Sequence, residues 1–194
     1  MRVYEKVRDY KDFAQVFSGQ DDVIVTELIE GIGVRYGVVG GVFCVGDDEG
    51  EYSEDEKNLL WKTAQKYGVE KILRKVFEST DVVLYGIIYG ASTKKKITYG
   101  TKKAKLLVID VFSKGQYFEA WQRQRFLQTT TLTSVPVLYG GKYSDMVLRL
   151  TQQSSALDDS VICKGIVIRS ETSGTYPRLG RKILCYRKAP AVVP

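Results

Sequence analysis

Between Val23 and Tyr186 the chain keeps returning to short runs of β-branched and aromatic residues, a spacing that leaves little room for a helical bundle. Val23 to Thr26 and Val34 to Val45 read as strands, with Gly40-Gly41 turning the second run back as a hairpin. Further strands are expected at Val82 to Tyr89, Lys105 to Phe112, Val135 to Leu138, Ile166 to Arg169 and Lys182 to Tyr186. The helices between them are few. Ser53-Glu54-Asp55-Glu56 reads as a capping box and predicts a helix through Tyr67, stopped at Gly68. Its Leu60, Ala64 and Tyr67 recur at helical spacing and should face a core. Val69 to Phe77, Phe118 to Leu127 and Ser144 to Gln152 complete the helices, the last opening at an N-cap on Ser144. Many strands with few helices between them predict an α+β fold, antiparallel sheets with flanking helices.

The chain has 194 residues, 44% of them hydrophobic, enough for one sizeable core, and it is read as a single domain spanning 1–194 without repeats or linkers. No apolar run approaches the roughly 18 residues a membrane span needs, and the charged start Met1-Arg2-Val3-Tyr4-Glu5-Lys6 is unlike a signal peptide. Cys44, Cys163 and Cys185 are spaced unlike a zinc site or a disulfide framework. Reduced thiols in the cytosol of a bacterium or a virus-infected host are therefore expected. With no histidine anywhere, histidine bases, Ser-His-Asp triads and histidine metal ligands are excluded. A formal charge of +6 favours anionic partners such as nucleotides or RNA. Oligomeric state is left open.

Four segments then stand out in order: Val25-Thr26-Glu27-Leu28-Ile29-Glu30-Gly31, Asp81 to Gly90, Cys163-Lys164-Gly165-Ile166-Val167-Ile168-Arg169, and Arg181 to Arg187. Together they resemble the motifs of the adenylyltransferase domain of phage and editing-type RNA ligases, the RNA ligase 2 class. The resemblance covers roughly residues 20 to 188 and implies a nucleotidyltransferase domain of the ATP-grasp-like ligase type. In that family the first motif reads Thr-Glu-Lys-x-(Asp/His/Glu)-Gly, and its lysine carries AMP as a covalent adduct. Here the lysine's place holds Leu28, and an isobutyl group has no lone pair with which to attack.

The other departures fall on the same chemistry. The resemblance puts Ile87 where a glutamate helps to bind nucleotide and metal, Lys164 where a second glutamate serves the metal, and Cys185 where a lysine faces phosphate; Arg187 keeps a cation at the neighbouring place. Ile32-Gly33 replaces a Thr-Asn, Asp47-Asp48 lies where a Ser-Arg or Ser-His pair is found, and Ile109 takes the place of the aromatic that stacks on adenine. Glu27, placed by the resemblance on the adenine edge, and Asp110 are kept. Mg²⁺ prefers hard carboxylate oxygens, so no Mg²⁺ site and no required cofactor are expected. The expected ligand-binding set is Glu27, Leu28, Ile29, Arg35, Ile87, Asp110, Lys164, Lys182, Cys185 and Arg187, with Lys164, Arg187, Lys182 and Arg35 as the cations for an anion held without metal.

The expected function is an inactive ligase-fold protein holding a nucleotide or nucleotide-derived signal, sequestering it in a counter-defence role of the phage type. The alternatives are an ATP-dependent RNA ligase using another lysine, Lys164 or Lys182, and a non-catalytic RNA binder. For the latter, Lys94, Lys95, Lys96, Lys102, Lys103 and Lys105 surround Tyr99; they read either as a nucleic-acid surface or as a solvated loop. Asp47-Asp48-Glu49-Gly50-Glu51 lacks the ligand spacing of a calcium loop, and Gly31-Ile32-Gly33 lacks the strand-turn-helix setting of a dinucleotide fingerprint.

Overall fold

The computed structural model describes residues 1–78, 80–93, 95–171, 175–176, 180–181 and 183–187. In chain order the first strands are β1 (Arg8–Asp9), β2 (Asp22–Glu27), β3 (Ile32–Val39), β4 (Val42–Gly46) and β5 (Glu51–Tyr52). They are followed by β6 (Val82–Tyr89), β7 (Lys105–Ser113), β8 (Gln116–Tyr117), β9 (Val137–Lys142) and β10 (Ser154–Ser155). Last come β11 (Asp158–Ile162), β12 (Gly165–Ser170), β13 (Thr175–Tyr176), β14 (Gly180–Arg181) and β15 (Ile183–Arg187). The α-helices are α1 (Tyr10–Phe13), α2 (Leu59–Tyr67), α3 (Val69–Phe77) and α4 (Ala120–Gln128); Asp145–Gln152 is a 3₁₀ helix. The α+β class with antiparallel sheets and flanking helices is what the strand-rich sequence led us to expect.

The chain divides into two compact units, Met1–Glu5 with Glu30–Val135, and Lys6–Ile29 with Pro136–Pro194. The first is built on an antiparallel sheet of order β5-β4-β3-β6-β7-β8. Its strands alternate. Val34, Tyr36, Val38, Leu84, Ile88, Val108 and Val111 point to one face and bury against Leu60, Trp61 and Ala64 of α2, Val69 and Leu73 of α3, and Phe126 of α4. The hairpin at Gly40-Gly41 has φ of 56° and 79°, the left-handed pair that a two-residue turn matching strand twist requires.

The second unit's sheet has order β1-β15-β12-β2-β9, with β1 parallel to β15 and the other pairs antiparallel. Val23, Val25, Ile166, Ile168 and Leu184 lie on its core face, packed with Tyr10, Phe17, Tyr143 and Val147.

Three elements begin two or more residues later than expected. The second helix starts at Leu59, not in the Ser53 box, because Glu51–Tyr52 pairs with β4 and the chain must still turn before it can helix. Asp55 takes the Lys57 amide at 2.7 Å in that turn, and the cap falls to Asn58, whose side chain accepts from the Leu60 amide at 2.8 Å. The helix expected from Phe118 starts at Ala120, since the Phe118 amide is spent on the Val111 carbonyl at 2.8 Å; Glu119 and Gln122 form the capping box. The strand expected over Val135 to Leu138 runs Val137–Lys142, because Pro136 has no amide to donate. Ser144 does precede a helical segment, but that segment is 3₁₀ and Ser144 makes no side-chain cap.

Candidate functional site

Within the second unit, three of the four motifs become neighbouring strands. β12 pairs with β2 on one side and β15 on the other, so Thr26, Val167 and Cys185 form one cross-strand row, and Glu27, Ile166 and Tyr186 the next. Thr26 and Cys185 point away from the core face. Leu28 follows β2 directly and is locked to β12 by its amide, which donates to the Gly165 carbonyl at 2.9 Å. Gly165 in turn pairs with Arg187. A Cβ at Gly165 would sit 2.5 Å from the Tyr186 carbonyl oxygen, 3.0 Å from a Leu28 methyl and 3.2 Å from the Arg187 Cα. Glycine is therefore the residue that lets Leu28 and Arg187 converge here.

The side chains around this convergence differ in exposure. Leu28 is half-buried, Ile29 buried, Lys164 and Arg187 exposed, and Cys185 buried. Burial pushes the Cys185 thiol pKa up, against the pull of the Arg187 guanidinium. That makes it a protonated, inert thiol at neutral pH, not the reactive one that neighbouring cations could create. Glu27 points to the opposite, core face. It is 2% exposed, its Oε2 accepts from the Ala156 amide at 2.9 Å, and its Oε1 has no hydrogen-bond partner.

Within the first unit, Arg35, Tyr85 and Asp110 form a single row across β3, β6 and β7, on the face turned away from that unit's core. Ile87, half-buried, stands on the same face two residues along β6, opposite Gly33 and Leu107. The signature glycine, Gly31, packs on this strand: a Cβ there would meet the Ile88 carbonyl oxygen at 2.4 Å. Asp110 is fully buried. Its Oδ1 lies 3.6 Å from the Arg123 guanidinium and its Oδ2 accepts from the Tyr4 hydroxyl at 3.1 Å. Neither Arg123 nor Tyr4 was flagged by the sequence, because both reach Asp110 from distant parts of the chain with no motif to announce them.

Lys182, expected in the cation set, and Lys94, expected in the basic cluster, lie outside the described residues. Lys95, Lys96, Lys102, Lys103 and Lys105 are exposed. Their loop is fixed at its base by Tyr99, a buried residue whose hydroxyl accepts from the Glu30 amide at 2.8 Å.

Of the two residues that the resemblance sets at metal-serving places, Ile87 carries no donor atom and Lys164 carries a cation. Among the described residues no three Asp, Glu, Cys or His side chains gather as metal ligands. No helix among them is long and apolar enough to cross a membrane.

Among curated protein sequences none matches the chain. Solved structures of the Naegleria gruberi RNA ligase are similar in fold. A lysine-to-methionine variant with AMP and Mn is 19% identical with a TM-score of 0.78, covering 96% of this chain and 55% of that one. A lysine-to-alanine variant with ATP and Mn is 18% identical with a TM-score of 0.80, covering 96% and 56%. The same ligase with PPi is 18% identical with a TM-score of 0.79, again covering 96% and 56%. This chain thus spans a little over half the length of those ligases. The RNA ligase family matches residues 21–184, from the start of the β2 signature strand into β15. With that match over most of its length, the chain belongs to the RNA ligase family.

Proposed function

We propose that this protein binds a nucleotide, or a signal derived from one, and does not transfer its adenylyl group. The observation that carries the reading is Leu28. The backbone at the signature is held in register by the Gly165 carbonyl, yet the side chain there has no nucleophilic atom. Phosphoryl transfer relies on positioning and on charge neutralisation, usually by a metal. Here Ile87 and Lys164 supply no ligand for one, whereas Lys164 and Arg187 offer charge directly to phosphate oxygens. Binding without turnover suits sequestration of a signalling nucleotide in the cytosol, a role of the kind a phage protein plays against host defence.

Incubation with ATP and Mg²⁺ followed by intact-mass measurement tests the loss of chemistry; a covalent AMP adduct on the wild-type chain would overturn it. Heating the purified protein and analysing what it releases tests the sequestration. A stoichiometric nucleotide supports it, and ligand-free protein with no nucleotide affinity counts against it.

A second reading draws on the exposed Lys95, Lys96, Lys102, Lys103 and Lys105, which give the first unit a basic loop suited to an RNA backbone. RNA affinity falling steeply with salt, and weakened when these lysines are neutralised, would favour it. A pocket-bound nucleotide would respond to salt more weakly.

A further inference from the structure

Arg35 is only 6% exposed, and both its Nε and its Nη1 are buried without a hydrogen-bond partner. A guanidinium is a planar, charged fork of N–H donors, and burying such donors without hydrogen-bond acceptors is costly. Most buried polar groups in folded proteins are paired, so two donors left in this state ask for an acceptor.

Close-packed main chain surrounds the arginine stem. Arg35 pairs across the sheet with Gly46 on one side and Tyr85 on the other. A Cβ on Gly46 would lie 3.1 Å from the Arg35 Nε, so the guanidinium stem runs over a bare backbone. Glu51, paired with Gly46, feels the Arg35 charge, but the Met1 amine, which its carboxylate hydrogen-bonds, is the larger pull lowering its pKa. The first five residues then cross the same face of the sheet. The Met1 side chain reaches Gly37, the Arg2 carbonyl accepts from the Tyr85 hydroxyl at 3.1 Å, and the Arg2 guanidinium stacks 4.4 Å above Phe112. Tyr4 packs on Tyr85 at 4.7 Å and donates to Asp110.

We propose that Arg35 is a metal-independent receptor for a phosphate-type oxyanion on the first unit's sheet, and that Met1–Glu5 is the cover that must lift for the anion to enter. The planar fork of arginine matches two phosphate oxygens at once. The site needs no bound base, so it stands whether the oxyanion comes from a nucleotide tail or from a free polyphosphate.

Calorimetric titration of the whole chain in EDTA with tripolyphosphate, ATP and adenosine tests this. Wild type is expected to bind tripolyphosphate and ATP. Arg35→Met should weaken both on the order of tenfold to a hundredfold, the range of charge-assisted hydrogen bonds. Arg35→Lys, which keeps charge but not the fork, should fall between and serves if the methionine variant folds poorly. Tyr4→Phe, which frees the cover from Asp110, should tighten binding about two- to tenfold. Equal tripolyphosphate affinity in wild type and Arg35→Met, or none in wild type, overturns the site; an unchanged Tyr4→Phe overturns the cover. Tripolyphosphate binding lost in Arg35→Met upholds the site even where adenosine fails to bind and ATP binds no better than tripolyphosphate, a result that would count against the nucleotide reading instead.

Discussion

Leu28 and Gly165 are joined by a 2.9 Å hydrogen bond from the leucine amide to the glycine carbonyl, so the signature's backbone is anchored to the first residue of β12, next to Lys164. Since the anchoring is by main chain, it is indifferent to the side chain at position 28. A lysine substituted there would be presented from the same backbone. Leu28→Lys is accordingly expected to fold but, on the function proposed above, to gain no AMP adduct with ATP and Mg²⁺, since neither an isoleucine nor a lysine side chain ligates Mg²⁺. Intact-mass spectrometry reads this directly. An adduct on the single variant would show that the nucleophile was the one missing part.

Gly165 is constrained more tightly than Leu28. A Cβ there would lie 2.5 Å from the Tyr186 carbonyl oxygen, an atom fixed in the β12–β15 ladder. Overpacking of this kind costs typically 1–3 kcal/mol. Gly165→Ala should therefore lower the unfolding midpoint in urea by a corresponding amount. Adding Leu28→Ala should not rescue it, since the methyl contact at 3.0 Å is the lesser of the two clashes.

The helix-start correction yields a paired test. Asn58 caps α2, accepting from the Leu60 amide at 2.8 Å, and losing such a cap costs about 1 kcal/mol. Asn58→Ala should destabilise by about that much, and Ser53→Ala, at the position the sequence favoured, should be neutral within about 0.5 kcal/mol. Equal effects at both positions would put the cap back at Ser53.

That pair also shows what the sequence could and could not disclose. Strands rich in valine and isoleucine, such as β3, β6 and β12, declare themselves because alternation and β-branching are local properties. So do Gly40-Gly41 and Gly68, whose φ values are those only glycine adopts freely. The two-residue β5, by contrast, exists through its pairing with β4, and that pairing moves the helix start from Ser53 to Asn58. Site chemistry follows the same division. Leu28, Lys164 and Cys185 could be set against a motif position by position. The Arg123 and Tyr4 partners of Asp110, and the orphaned nitrogens of Arg35, arise from contacts between segments far apart in the chain.

Asp110 and Arg123 supply a stability prediction. The carboxylate is fully buried and the guanidinium nearly so, 3.6 Å apart. Removing one member of a buried pair leaves the other charge less well compensated, at a cost of up to roughly 3–5 kcal/mol. Arg123→Met should approach that figure in equilibrium denaturation, although the methionine matches the arginine stem in length. Replacing both, as Asp110→Asn with Arg123→Met, should recover part of the loss. A single variant as stable as the wild type would mean that the other bonds of Asp110 suffice.

Cys185 offers a test by pH. Burial raises its thiol pKa and Asp9 adds to the rise, while Arg187 opposes both. An unperturbed cysteine titrates near about 8.5, and only the thiolate attacks an alkylating agent. In the folded protein Cys185 should therefore stay unmodified by iodoacetamide at neutral pH and react at the ordinary rate once urea unfolds the chain. The sign for stability follows from the same shift. Below the unfolded-state pKa the thiol is protonated in both states and nothing is lost; as pH rises from that value toward the higher folded value, the unfolded chain releases its proton first and the fold loses stability. Peptide mapping of alkylation over a pH series measures the first effect. Fast modification of native Cys185 at neutral pH would mean that Arg187 outweighs burial, and that the position holds an active thiolate.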